Sequence, residues 1–254
     1  MLPLFNSPSS HILKPSIAGL EGSVFNEGFC LALANVLKLD TVKAKIRRIS
    51  DRHYLRVERY DRQVTADGRL IRLHQEDFCQ ALAVAPEYKY QNEGGPDLSQ
   101  AFELLRRATR PSAPQILKLL DFAIFNAMVG NHDAHGKNFS LLYTTQGIVL
   151  APFYDVLATA VYPNLTDKMA MKIGSKYRFT EVQLRHWERF ATSAGLSPAQ
   201  VKKRILNIAK RLPVLAAKTI TVFEAEGNGH TILPQIMTLI EQRCALTIRC
   251  LTPE

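Results

Sequence analysis

The sequence predicts an α+β fold in two lobes, a small strand-bearing part over residues 1–62 and a mainly helical remainder over residues 63–254. Three observations carry that expectation. Strand patterns crowd the first quarter around one amphipathic helix, helical patterns dominate the end, and a hairpin follows a polar loop in the middle. His11-Ile12-Leu13-Lys14 reads as a short strand stopped by Pro15. A loop through Gly19 and Gly22 leads to a helix over about residues 24–39, with Phe29, Val36 and Leu37 on its apolar side. Residues 45–49 and 54–58 then form two strands joined at Ser50-Asp51, and residues 91–96 carry a plain loop signal. A strong helix follows over residues 114–129, with Leu117, Leu120, Ile124 and Met128 spaced to face a core. Residues 139–143 and 148–150 flank Thr144-Thr145-Gln146-Gly147 as a β-hairpin. Beyond Asp155 the pattern predicts helices alone, over residues 180–194, 197–212, 214–226 and 233–251. Ser197 is placed as an N-cap with Pro198 at the first helical position, and Trp187 and Phe190 are assigned to the core.

Composition bounds the function. A chain of 254 residues, 46% hydrophobic and 22% charged, suits a soluble globular protein with a sizeable core. No apolar run approaches the ~20 residues of a membrane span, and the N-terminus lacks a signal-peptide pattern, so a cytoplasmic protein without membrane partners is expected. Cys30, Cys79, Cys244 and Cys250 include no Cys-x-x-Cys pair and read as free thiols of a reducing compartment. The net charge of +9 suits an anionic ligand or partner, although its basic clusters are scattered and read more readily as solvated faces than as a partner surface.

The chemistry concentrates in Gly130-Asn131-His132-Asp133-Ala134-His135-Gly136-Lys137-Asn138 and, beyond the hairpin, Pro152-Phe153-Tyr154-Asp155. An Asp, an Asn five residues on and a second Asp past a hairpin are the polar core of a protein-kinase site. Asp133 is placed to take the acceptor hydroxyl proton, and Asn138 with Asp155 to hold Mg²⁺ beside the phosphates of ATP. Lys137 could neutralise charge on the transferred group. Upstream, Lys14 on a strand and Glu27 on the next helix are spaced like the pair that holds the α- and β-phosphates. Competing readings are a turn-capping Asp133, an ordinary strand-end Lys14 and a plain exposed Glu27. His132 and His135 invite a transition-metal site, but their place in the loop suits hydrogen bonding or nucleotide contact better.

Beyond these residues, nearly the whole chain resembles the HipA-like serine/threonine kinases of bacterial toxin–antitoxin systems. The resemblance runs through Ser10-His11-Ile12-Leu13-Lys14, Asn26-Glu27, Val57-Glu58-Arg59-Tyr60-Asp61-Arg62 and His74-Gln75-Glu76-Asp77-Phe78-Cys79-Gln80. It continues in Lys89-Tyr90, Gly94-Gly95-Pro96, the segment from Asp133 to Ser140, and the segment from Pro152 to Asp155. It implies a two-lobed kinase fold with Asp133 as catalytic base, Asn138 and Asp155 on Mg²⁺, Lys14 on the nucleotide phosphates, and Glu58, Arg59 and Tyr60 as the hinge beside adenine. His135, Lys137 and Tyr154 join the nucleotide contacts on the same ground. Members of the family phosphorylate an aminoacyl-tRNA synthetase and slow growth, and a DNA-binding antitoxin of the HipB type restrains them. Contact with DNA is therefore expected only through the antitoxin.

The family's Gly-rich loop precedes the strand that holds the lysine. Here Ser7-Pro8-Ser9-Ser10 is no phosphate-cradling loop, and the expected N-terminal lobe is truncated. A longer product or a separate N-terminal-subdomain protein would supply the rest. Two classes of function follow: an active Ser/Thr protein kinase, or a pseudokinase-like module that binds an antitoxin or that separate subunit. A small-molecule kinase is a third and weaker reading, by analogy alone.

Overall fold

A computed structural model describes residues 9–252; Ser7 and Pro8 of the expected loop-poor segment lie outside the described residues. Strands β1 (His11–Pro15), β2 (Ala44–Ile49) and β3 (Arg52–Glu58) form an antiparallel sheet in the order β1-β3-β2. His11 lies opposite Glu58 and Pro15 opposite Tyr54. Pro15 ends the strand on a sheet edge, where its missing N–H costs least. Helix α1 (Ser23–Val36) packs on β2 and β3 and also against two helices of the C-terminal region. Buried on several sides, it has no single apolar stripe. Phe29 and Leu37 are buried as expected, whereas Val36 is 42% exposed. The helix stops three residues early because Lys38 turns to φ 70°.

A hairpin, β4 (Arg62–Val64) and β5 (Leu70–Arg72), leads to β6 (Gln75–Asp77) and the short α2 (Phe78–Ala81). Helices α3 (Leu98–Ala108) and α4 (Ser112–Val129) follow. Both α2 and α3 begin with a capping box, Asp77 with Gln80 and Asp97 with Gln100. On α4 the buried residues include Ile116, Leu119, Leu120, Ile124 and Met128; Leu117, expected in the core, is 43% exposed. The central hairpin is β7 (Ser140–Thr144) and β8 (Gly147–Leu150), and β6 joins it in a sheet of order β6-β7-β8.

The region after Asp155 corrects the all-helical expectation. Strands β9 (Lys168–Ile173) and β10 (Lys176–Arg178) form a hairpin there. Met169, Ala170 and Met171 are good helix formers, but all three are buried, and tertiary packing overrides their propensity. Helix α5 (Leu184–Ser193) starts four residues later than predicted, after a single 3₁₀ turn at Phe179–Glu181. The two helices expected around Pro213 are one, α6 (Pro198–Ala225), which runs through the proline. One lost backbone bond is offset by packing along 28 residues. Pro198 opens α6 as predicted, while the Ser197 side chain makes no capping bond. Helix α7 (Ile232–Leu251) closes the described chain.

One hydrophobic core includes Phe29 of α1, Leu55 of β3, Phe125 of α4, Phe153, Trp187, Ile205 of α6 and Ile240 of α7. Phe122 stacks on Phe153 at 4.1 Å, which ties α4 to the strand exit before Asp155. Among the described residues no helix is long and apolar enough to cross a membrane, and the four cysteines are free thiols.

Candidate active site

Helix α4 aims the central loop. It ends at Gly130 with φ 76°, where a Cβ would sit 2.7 Å from Leu239 and 2.9 Å from Ala160, so only glycine fits this left-handed cap. Beyond it, Asn131 donates from Nδ2 to Asn126 Oδ1 at 2.9 Å and accepts the Asp133 N–H at 3.1 Å. The Tyr90 hydroxyl donates to Asp133 Oδ1 at 2.6 Å. Burial, and then that bond to the carboxylate, raise the Tyr90 pKa and keep it a donor. Tyr90 gets there through the Gly-Gly-Pro block: a Cβ on Gly95 would lie 2.3 Å from the Tyr88 carbonyl, so only glycine lets the chain fold back. The Asp133 carboxylate, half exposed, faces solvent next to this support.

A 3₁₀ turn at Gly136–Asn138 then buries Asn138. Its Nδ2 reaches Asp155 Oδ2 at 3.2 Å and the Asp155 carbonyl at 3.4 Å, while its buried Oδ1 has no hydrogen-bond partner. Asp155 adopts φ 57°, an uncommon conformation for a non-glycine residue and one found at sites where function requires it. The Lys14 ammonium lies 2.6 Å from Glu27 Oε1 and 2.7 Å from Asp155 Oδ1. Three segments separated by up to 141 positions thus converge on one cluster. Glu27 is 4% exposed, so it is no surface glutamate. Burial pushes its carboxyl up to about 7 against the pull of Lys14. For Lys14, burial acts downward, but Glu27 and Asp155 outweigh it and the pKa is raised.

The expected hinge lies where β3 ends. The N–H groups of Glu58 and Arg59 donate to Lys43 O at 2.8 Å and Ser10 O at 3.0 Å. Arg59 grips the buried Asp61 in a two-pronged pair, and Arg62 adds a third bond at 2.7 Å. Tyr60 bonds Gln75 and stacks on Tyr154 at 5.5 Å. The Tyr154 hydroxyl donates to Lys137 O at 2.8 Å and bonds Ser140 at 2.7 Å. A cavity of about 250 Å³ is lined by Lys14, Glu27, Glu58, Arg59, Tyr60, Lys137, Tyr154 and Asp155. A second, of about 510 Å³, is lined by Tyr90, Asn131, His132, Asp133, Leu157 and Met169. Asp155 lines both. The two larger cavities, about 620 and 590 Å³, lie against α6 and contain none of the expected site residues.

The histidines do not share a ligand set. His132 bonds Thr166 O at 3.0 Å and Arg243 at 2.7 Å. Buried His135 lies 3.9 Å from Asp133, against the edge of Tyr90, and its Nδ1 has no partner. Among the described residues no three His, Cys, Asp or Glu side chains form a metal cluster. The orphaned Asn138 oxygen beside the Asp155 carboxylate fits a hard cation that takes its other ligands from phosphates and water. Sequence reasoning missed the supports: Tyr90, Asn126, Asn131, Asp61 and Arg243. Tyr90, Asn131 and Asp61 lay in blocks already quoted; Arg243 carries no local signal at all.

The fold and the ordered polar set define a kinase-like α+β protein. The chain belongs to the HipA-like C-terminal domain family, whose model matches residues 4–215. It is 48% identical over 219 residues to "Putative kinase Y4mE" of Sinorhizobium fredii, covering 86% of this chain and 52% of that protein. It is 29% identical over 249 residues to the serine/threonine-protein kinase toxin HipA of Shewanella oneidensis, covering 93% and 57%. The chain thus spans about half the length of these relatives. Among solved structures, HipA of Shewanella oneidensis, in complex with HipB and operator DNA, superposes with a TM-score of 0.82 at 27% identity, over 93% of this chain and 58% of that one. The Helicobacter pylori proinflammatory kinase CtkA shares the fold, with a TM-score of 0.57 at 12% identity over 95% and 88% of the two chains.

Proposed function

We propose that this chain is the catalytic core of a serine/threonine protein kinase of a toxin–antitoxin system, transferring the ATP γ-phosphate to a protein hydroxyl. The observation that carries this reading is the convergence of Lys14, Glu27, Asn138 and Asp155 within 2.6–3.4 Å contacts. Asp133 orients the acceptor hydroxyl and takes its proton, with Tyr90 holding one carboxylate oxygen and leaving the other for the substrate. Lys14, set by Glu27, binds the α- and β-phosphates, and Lys137, which lines the same cavity, neutralises charge on the transferred group. Asn138 Oδ1 and the Asp155 carboxylate would hold Mg²⁺, which supplies charge neutralisation on the phosphates. Glu58, Arg59 and Tyr60 border adenine, with Tyr154 completing the nucleotide contacts; His135, expected there too, is buried and lines neither cavity. Residues 1–62 form the nucleotide-binding side and residues 63–254 the side that carries the acceptor.

The likeness to HipA, solved in complex with HipB and operator DNA, supports a HipB-type antitoxin as partner; cytoplasmic action and DNA contact through that antitoxin alone belong to the proposal. The family resemblance suggests an aminoacyl-tRNA synthetase as target. Incubating the chain with γ-labelled ATP, Mg²⁺ and bacterial extract tests the reading. One labelled protein, dependent on Mg²⁺ and lost in Asp133→Ala, supports it. ATP binding with no label transferred would favour the pseudokinase-like module instead.

A further inference from the structure

Arg243 of α7 is a buried cation without a carboxylate partner among the described residues. Its guanidinium donates to the Ala127 carbonyl at 2.8 Å and to His132 Nε2 at 2.7 Å, and stacks over Phe179 at 4.4 Å. An arginine has no acceptor, so His132 Nε2 must be the accepting nitrogen. The imidazole proton therefore sits on Nδ1, where it donates to the Thr166 carbonyl at 3.0 Å. The His132 backbone binds the same stretch twice more: its N–H donates to Thr159 Oγ1 at 2.8 Å and its carbonyl accepts the Ala170 N–H at 2.8 Å. One residue beside Asp133 thus fastens residues 159, 166 and 170, which line the larger cavity.

The geometry points to Arg243 and His132 as positioning residues that hold residues 159–170 as the wall of the protein-acceptor cavity. This rests on the proposed phosphotransfer for its kinetic consequence, but not for the clasp itself. The chain of donors works only with a neutral ring, since an imidazolium has no lone pair to accept from Arg243. Burial and then the neighbouring Arg243 charge oppose protonation and lower the His132 pKa, with the bond to the Thr166 carbonyl and then Asp167 acting the other way. Neither residue touches the smaller cavity, so losing either should leave the nucleotide side unchanged.

Two measurements on the 254-residue chain test this. First, ¹⁵N imidazole spectra of the wild type should show His132 mainly neutral at pH 6.5, where a free imidazole is half protonated, with its proton on Nδ1; an Nε2-protonated or charged ring would overturn the relay. Second, Arg243→Met should speed amide exchange at residues 159–170 by at least about tenfold while leaving the β1-β3-β2 sheet unchanged, with partial recovery in Arg243→Lys. With dephosphorylated casein as acceptor, the same variant should raise KM for casein about tenfold, hold KM for ATP within about twofold, and move the acid limb of the pH profile upward. Uniform loss of protection across the molecule, or an acid limb that does not move, would reduce Arg243 to a purely structural residue and overturn the proposal. If the wild type labels no casein but labels a protein of the extract, that protein replaces casein as acceptor; if it labels neither, the kinase reading fails, and the spectra and exchange still decide the clasp.

Discussion

On one side of Asp155, charges fix the geometry: Lys14 spans Glu27 and Asp155 at 2.6 and 2.7 Å, with a buried carboxyl whose proton is held up to about 7. On the other side, amides and a neutral ring do the work, through Asn126–Asn131–Asp133 and Arg243–His132–Thr166. The first arrangement is ready to exchange partners when an anionic ligand and a cation arrive, because each charge binds new ions as well as old ones. The second is held by short-range donor–acceptor pairs that carry no exchangeable counter-ion, so its geometry is expected to be the same with or without nucleotide. The difference teaches where each variant should register: charge-side changes in nucleotide binding, amide-side changes in stability and in handling of the acceptor.

The largest expected effect breaks the chemistry while sparing both supports. Asp133→Ala should lower phosphotransfer by ~10²–10⁴ while ATP affinity, measured by calorimetry, stays within a few-fold. Wild-type turnover in that variant would remove Asp133 from the mechanism. Next, Asp155→Ala should abolish the metal-dependent part of nucleotide stabilisation, which for a ligand at a hundred times its Kd is about 2.7 kcal/mol. A thermal shift that is the same with and without Mg²⁺ in both proteins would contradict the proposed pair. On the amide side, Asn131→Ala strips the partners of Asn126 Oδ1 and the Asp133 N–H, and should cost about 1–3 kcal/mol in denaturant unfolding. A loss no larger than that of an exposed-surface variant would show that the loop does not need its amide ladder.

The smallest effects are the pH slopes, which should run in opposite directions on the two sides. Glu27 is raised in the fold, so its contribution is full below about 4.5 and is lost as pH rises through about 7. His132 is lowered by burial and by Arg243, so its contribution is full above 6.5 and is lost as pH falls through its folded value. Each slope is bounded by ~1.4 kcal/mol per pH unit for one proton. In urea titrations across pH, Glu27→Gln should flatten only the first slope and His132→Gln only the second. One variant flattening both would mean that the two regions are not independent.

The sequence exposed the candidate site residues better than their supports, for a physical reason. Asp133, Asn138 and Asp155 stand on one loop and hairpin whose turn residues and alternating apolar positions are local signals, so their convergence could be read from spacing. Lys14 and Glu27 were legible as a strand and helix pair, although only the fold shows Lys14 also bridging to Asp155, 141 positions away. Arg243 is 111 positions from His132 on a helix with no distinguishing pattern, and nothing local marks it. The β9–β10 hairpin was missed because it lies in a stretch before residue 180 that carried no predicted element and whose methionines give no local strand signal, and the error at Pro213 came from treating proline as an absolute stop. Leu117 and Val36 show the same limit: periodicity gives a face, but neighbours decide which residues at its margin are covered.

The side-chain amide of Asn138 gives the most direct test of the account, because it sits where nucleotide, metal and Asp155 are proposed to meet. Its ¹H–¹⁵N signals can be followed as a non-hydrolysable ATP analogue and Mg²⁺ are added separately and together. The account predicts a large shift only when both are present, and none in Asp155→Ala. A shift with nucleotide alone that Mg²⁺ leaves unchanged, or nucleotide binding to which Asn138 does not respond, would contradict it.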